Sequence, residues 1–187
     1  LSGIPMITYK KIEFLPFQRI IKRVMDVSVS IILIALCWWL FVLVAIWIKL
    51  VSPKGPIFFK QKRVGMFQKQ FVLYKFRTMP VESEDKSGPQ WTLDNNRACI
   101  LGGKFLRKYS IDELPQLFNI IKNEMSLIGP RPERKFFVDS ISKSAKFFNL
   151  RHNVKGGITG WAQIHGRANL TNKPLEKFRY DLYYIKN

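Results

Sequence analysis

The sequence predicts an α+β fold: a small mixed domain with amphipathic interfacial helices, carried on one membrane-inserted helix near the N-terminus. Three observations lead there. The 22 residues 27–48, VSVSIILIALCWWLFVLVAIWI, hold no charge, and a helix rising ~1.5 Å per residue makes them as long as a bilayer's hydrocarbon core is thick. Two short segments rich in aromatic and β-branched side chains flank Gly65, which is how a pair of strands reads. Beyond them, apolar residues recur at helical spacing between polar loops.

Each element has a local reason. Phe17, Ile20, Ile21 and Val24 fall at helical spacing with Arg19, Lys22 and Arg23 between them, an interfacial lead-in to the bilayer. Ser52-Pro53-Lys54-Gly55-Pro56 ends the membrane helix. Residues 57–59 and 71–77 are the expected strands. Residues 80–96, with Glu82, Glu84, Asp85 and Asp94, read as a polar surface loop. A short helix is expected over 103–108 and a longer one over 114–122, followed by the rigid turn Gly129-Pro130-Arg131-Pro132. In 136–150, Phe137, Ile141, Ala145 and Phe148 share one helical face, suited either to a core or to the bilayer surface. The organisation is then residues 1–23 as linker and lead-in, 24–49 as the membrane-inserted helix, and 50–187 as the domain. The chain opens on Leu1 rather than Met, as part of a longer protein would.

Charge narrows the partners. Lys and Arg number 31 against 13 Asp and Glu, for a net charge of +18. Such an excess suits nucleic acid, anionic lipid or phosphorylated substrates. No basic region with heptads, zinc-ligand spacing or aromatic RNA-binding signature accompanies it, so nucleic acid is not an expected partner and anionic membrane lipid is. The two cysteines, Cys37 and Cys99, have no metal or redox spacing, which favours a reducing compartment. The apolar run is too long and too internal for a secretory signal. Both of its flanks are basic and it contains no Gly or Pro, so residue physics alone favours a straight span over a bent one.

Candidate chemistry centres on Asp112-Glu113, because acids are scarce. Ser110-Ile111-Asp112-Glu113 also fits a capping box, and on sequence physics alone capping outweighs catalysis. Pro115 complicates the cap: a helix starting at Asp112 would accommodate it better than one starting at Ser110. Lys75 and Arg77 alternate with Tyr74, Phe76 and Thr78, so on a strand both would project from one face as a phosphate clamp. Arg131, held between two prolines, is pre-ordered to grip an anion. The glycines of Gly156-Gly157-Ile158-Thr159-Gly160 permit close backbone approach to a ligand. His152 and His165 have no Ser, Cys or Asp arrangement of a triad and read as structural.

Taken together, these segments resemble the bacterial sugar transferase family, the monotopic polyprenyl-phosphate phosphoglycosyl transferases. The pieces that carry the resemblance are Lys22-Arg23-Val24-Met25-Asp26, Tyr74-Lys75-Phe76-Arg77-Thr78-Met79, Ser110-Ile111-Asp112-Glu113-Leu114-Pro115-Gln116-Leu117-Phe118-Asn119, Met125-Ser126-Leu127-Ile128-Gly129-Pro130-Arg131-Pro132 and Gly157-Ile158-Thr159-Gly160-Trp161-Ala162-Gln163. The resemblance implies transfer of a phosphosugar from a UDP-sugar to polyprenyl phosphate with release of UMP, at the cytoplasmic face of a bacterial inner membrane. It implies Asp112 as nucleophile, through an aspartyl-phosphosugar intermediate, and Glu113 with Asp112 as ligands of Mg²⁺. Lys75, Arg77, Arg131 and Arg167 are the expected anion-binding residues, and Glu124 a supporting acid. The family's membrane helix usually turns back at a Ser-Pro break. Trp38-Trp39 stands at about that place here, and a re-entrant hairpin is still what the resemblance implies. Two rival readings are a non-catalytic module that binds anionic lipid, and a glycosyl transferase that moves the sugar alone and releases UDP.

Overall fold

The computed structural model describes residues 16–81, 99–145, 147–166 and 173–186. Its dominant element is α1 (Pro16–Val51), 36 residues of continuous helix. At ~1.5 Å per residue it is roughly 54 Å long. Only 11% of its most apolar window is buried, so it is not the covered core helix of a soluble protein. Asp26, Ser30, Val44 and Ile48 are buried on it, and Leu33, Ile34, Leu40 and Phe41 pack partly against the rest of the chain. These positions recur at spacings of three, four and seven residues and form one stripe. The remaining faces expose Ile31, Ile32, Leu36, Trp38 and Trp39, an apolar surface suited to lipid.

The helix runs unbroken through Trp38 and Trp39. A re-entrant hairpin needs a break there, and the chain supplies none, in keeping with the lack of Gly or Pro. Both parts of α1 nevertheless rest on the same domain. Near its start, Arg23 donates from Nη1 to Ile120 O at 2.7 Å and from Nη2 to Ile121 O at 2.9 Å. These are the last carbonyls of α3 (Gln116–Ile121), where a cation also complements the helix dipole. Asp26 Oδ1 accepts the Leu127 N–H at 3.1 Å. Near its end, Trp47 Nε1 donates to Leu101 O at 3.0 Å.

Strands β1 (Phe58–Val64) and β2 (Gln70–Phe76) pair antiparallel, from Phe58 opposite Phe76 to Val64 opposite Gln70. The hairpin expected around Gly65 is therefore present, with β1 longer than its sequence pattern suggested. Helix α2 (Gly103–Lys108) has the expected bounds. Helix α3 is shorter than expected, because a separate turn precedes it. A parallel pair, β3 (Ser126–Ile128) and β4 (Gly157–Thr159), joins Ser126 to Gly157 and Ile128 to Thr159. Helices α4 (Lys135–Ser144), α5 (Trp161–Gly166) and α6 (Pro174–Lys186), with 3-10 turns at Met66–Gln68, Ile111–Glu113 and Phe148–Asn153, complete the described elements.

Three apolar clusters hold these together, and α1 enters two of them. Val44 and Ile48 pack with Phe76, Ile100 and Leu106. Leu33 and Ile34 pack against Leu73, Leu117, Ile120 and Met125. Phe41 sits between the rings of Phe76 and Phe118, with centroids 5.5 and 5.9 Å away. The third cluster unites Val64, Phe137, Val138, Ile141, Ala145, Phe148 and Phe178. The single helix expected over 136–150 stops at Ser144, Ala145 is extended and Phe148 opens a separate 3-10 turn, yet all four apolar residues join this cluster, which is a core and not a bilayer face. Burying each such side chain stabilises by roughly 1.5–3 kcal/mol, so the long apolar helix is part of the domain's own core.

Candidate active site

Helix α2 ends at Lys108, and Ser110 then takes a left-handed conformation at φ 58°. A non-glycine residue there is uncommon, and such strain tends to gather at functional sites. The chain turns into one 3-10 turn, Ile111–Glu113, before Pro115 leads into α3. Ser110 makes no side-chain capping bond to this turn. The capping box is therefore not formed: Leu114 and Pro115 stand between the acidic pair and α3, so neither Ser110 nor Asp112 lies at its cap.

The two acids differ in what holds them. Glu113 Oε1 receives Lys75 Nζ at 2.7 Å and Arg131 Nη2 at 2.6 Å, while Oε2 receives Arg131 Nη1 at 3.2 Å. This is a bidentate fork joined by a second cation. Burial pushes the Glu113 carboxyl up, but Arg131 and Lys75 more than offset it and hold it well below the usual carboxylate range. Asp112 is buried, and among the described residues its carboxylate has no hydrogen-bond partner. Burial raises its pKa, opposed by Lys75. Burial and the neighbouring Arg131 lower that of Lys75. Among the described residues, Glu113 is clamped by two cations while Asp112 accepts no hydrogen bond and feels Lys75, Arg107 and Arg131 only through space. A third of the Arg131 side chain stays exposed.

The acidic pair and its two cations thus sit on a domain packed along one long, mostly exposed apolar helix. The sequence profile described as "Bacterial sugar transferase" matches residues 17–187. The chain belongs to the bacterial sugar transferase family. Among its relatives, the Aeromonas hydrophila protein named UDP-N-acetylgalactosamine-undecaprenyl-phosphate N-acetylgalactosaminephosphotransferase is 46% identical over 92% of the chain and 40% of its own length. The Escherichia coli K12 UDP-glucose:undecaprenyl-phosphate glucose-1-phosphate transferase is 35% identical over 100% of the chain and 40% of its own length. The Bacillus subtilis protein named uncharacterized sugar transferase EpsL is 40% identical over 90% of the chain and 79% of its own length. The chain thus spans about 40% of the length of the first two of these relatives.

The other expected site residues separate. Lys75 and Arg131 join Glu113 as described. Arg77 does not. Its Nε donates to Pro56 O at 2.6 Å, Nη1 to Ser52 Oγ at 3.0 Å and Nη2 to Ser52 O at 2.6 Å. It lies beyond the end of β2, where strand alternation no longer sets its direction, and it anchors the segment leaving α1. Glu124 accepts Asn119 Nδ2 at 2.6 Å, and Asn119 in turn bonds Val72 O at 2.7 Å and the Tyr74 N–H at 3.1 Å. Its support is structural, bracing α3 against β2. Arg167 lies outside the described residues. Gly157 and Gly160 admit no Cβ because the Gly129 backbone lies 2.1 and 2.2 Å from where one would sit. They let β4 approach the Gly-Pro-Arg-Pro turn, not a ligand. His152 is buried, and burial and then Arg151 lower its pKa to about 4, consistent with a structural role.

Sequence reasoning missed the charges behind Arg131. Arg151, Asp181, Glu133, Arg63 and Lys177 form ion pairs there, yet no two of the acids are neighbours in sequence. Their only advance signal was the scarcity of acids.

Among the described residues no group of three or more metal-binding side chains occurs. The paired carboxylates still suit Mg²⁺, which takes hard oxygen donors and is commonly held by one or two carboxylates with substrate phosphates completing its shell. Glu113 is held ionised while sharing its oxygens with Lys75 and Arg131, and among the described residues Asp112 accepts no hydrogen bond, so the pair offers oxygen donors of the kind Mg²⁺ takes.

Proposed function

We propose that this chain transfers a sugar phosphate from a UDP-sugar to undecaprenyl phosphate and releases UMP, by way of a phosphosugar held on Asp112. The observation that carries the reading is the asymmetry of the acidic pair: Glu113 is clamped by Lys75 and Arg131, while among the described residues Asp112 accepts no hydrogen bond. Relatives named as undecaprenyl-phosphate sugar-phosphate transferases support the reaction class. In the first step an Asp112 oxygen bonds to the donor's β-phosphorus. The bond from that phosphorus to the bridging oxygen breaks, and UMP leaves with the oxygen. In the second, an oxygen of undecaprenyl phosphate bonds to the same phosphorus and the Asp112–phosphorus bond breaks. The product is an undecaprenyl diphosphate sugar, and the carboxylate is restored.

Lys75 and Arg131 neutralise the diphosphate, with Arg131 offering its planar fork to phosphate as it does to Glu113. Asp112 and Glu113 would hold Mg²⁺, which when bound offsets charge on the departing phosphate. Burial of Asp112 keeps it poorly solvated, which favours attack over hydration. A purely lipid-binding module has no use for an Asp112-Glu113-Lys75-Arg131 constellation. A UDP-releasing glycosyl transferase would direct its nucleophile at the sugar carbon. The product decides: UMP release with undecaprenyl phosphate, across a panel including UDP-N-acetylgalactosamine and UDP-glucose, supports the reading, and UDP release overturns it.

Attachment to the membrane is one-sided in this reading. Arg23 and Asp26 near one end of α1, and Trp47 and Ile48 near the other, all rest on one domain. A helix crossing the bilayer at right angles would carry that domain into the hydrocarbon. Running along the domain, it presents its outer apolar face to lipid. The cytoplasmic face of a bacterial inner membrane is where both substrates would meet the basic domain.

A further inference from the structure

Behind Arg131 lies a buried set of charges that the reaction chemistry does not use. The carbonyls of three consecutive turn residues are each held from outside the turn. Arg151 Nη2 donates to Arg131 O at 2.9 Å, Arg63 Nη1 to Pro132 O at 3.1 Å, and the Val64 N–H to Glu133 O at 2.9 Å. The arginines are in turn fixed by acids. Arg151 Nη2 lies 2.8 Å from Asp181 Oδ2, with both side chains 2% exposed. Arg63 Nη1 lies 3.5 Å from Glu133 Oε2, and Lys177 is bound to Glu133 Oε1. Lys177 and Asp181 are one helical turn apart on α6, so a single face of that helix closes the network.

From this geometry we propose that Asp181, acting through Arg151, is a positioning residue for Arg131: it holds the Arg131 carbonyl so that the guanidinium stays aimed at Glu113 and at the donor's phosphates. The proposal rests on the reading that Arg131 grips those phosphates. Two prolines already restrict the turn's dihedrals, but they do not fix where the turn sits in the domain. Arg151 does, since one guanidinium nitrogen faces both the acid of α6 and the turn. Asp181 touches no reacting group. A small displacement of a phosphate-gripping side chain is enough to weaken binding, because its fork must meet the anion in plane.

The test is a double-mutant cycle on UDP binding, measured by calorimetry with Mg²⁺ on the purified full chain. Asp181→Asn keeps the shape and frees Arg151. Arg151→Lys keeps a cation facing Asp181 but cannot serve both the acid and the carbonyl through a planar group. The proposal expects each to weaken UDP binding about tenfold. It also expects that in an Arg131→Ala background neither weakens it much further, because the group they position is gone. Arg151→Lys covers the case in which Asp181→Asn does not fold. Effects that multiply in full with Arg131→Ala, or unchanged UDP binding in Arg151→Lys, overturn the positioning role alone. Unchanged UDP binding in Arg131→Ala itself overturns the phosphate-grip reading and the positioning role with it.

Discussion

Arg131 meets Glu113 through two nitrogens, at 2.6 and 3.2 Å, across 18 residues of chain that include all of α3 and β3. The pair joins the acidic turn to the Gly-Pro-Arg-Pro turn, and Lys75 ties both to the β-hairpin. Glu113 therefore keeps two cations in place before any anion arrives. Removing it leaves a buried Lys75 without its counterion. Glu113→Gln is expected to cost about 3 kcal/mol of stability, at the low end for breaking a buried pair because Arg131 keeps contact with solvent. Chemical denaturation of the purified variant measures this, and a loss under about 1 kcal/mol would make the pair a surface-like one.

Asp112 behaves oppositely. Burial raises its pKa, so its ionised form is disfavoured in the folded state. The folded chain binds the proton more tightly than the unfolded one. This contribution to stability grows as pH falls through the raised folded value and levels off below the unfolded ~3.9. At neutral pH, Asp112→Asn removes the buried charge and is expected to raise Tm by roughly 2–4 °C while abolishing turnover. A thermal melt beside a UMP-release assay checks both halves, and a lower Tm with retained turnover would contradict them.

The acid limb of activity follows from the same shift. Turnover requires ionised Asp112, so the rate should fall as pH drops through a value above ~3.9. Glu113 and Glu133 stay charged through that range, since their pKa values are held down, Glu133 to about 2. Their ion pairs give stability that is present above the ordinary glutamate value and lost only as pH falls through the depressed one. A pH–rate profile should therefore bend before the fold does, as seen by circular dichroism over the same range. Activity and structure lost together would place the limb on unfolding.

How much of this was legible in the sequence depends on the length of each pattern. The long apolar helix, the β-hairpin around Gly65 and helix α2 announced themselves through charge, aromatic content and spacing. The parallel pair β3–β4 did not, because its strands are three residues each and show no alternation. Asp112, Glu113, Lys75 and Arg131 were nameable, yet the capping reading of Ser110 rested on a spacing that a left-handed residue and Pro115 undo. Arg77 was assigned by strand alternation one residue past the strand's end. The Arg151–Asp181 pair was invisible because only the tertiary fold brings those residues together.

One-sided attachment makes a labelling prediction. In a Cys37→Ser, Cys99→Ser background, single cysteines at Arg19 and Lys143 should both be shielded from an impermeant thiol reagent in intact cells and both react once the membrane is opened. Labelling at Arg19 alone in intact cells would establish a crossing helix.

The covalent step on Asp112 is the central claim, and one measurement addresses it directly. The purified chain is mixed with Mg²⁺ and an accepted UDP-sugar, without undecaprenyl phosphate, quenched in acid, and its peptides are weighed by mass spectrometry. The account predicts about one UMP released per enzyme and a sugar phosphate added to the peptide containing Asp112, absent in Asp112→Asn and cleared when undecaprenyl phosphate is supplied before the quench. UMP release that waits for the acceptor, with no added mass on that peptide, would contradict it.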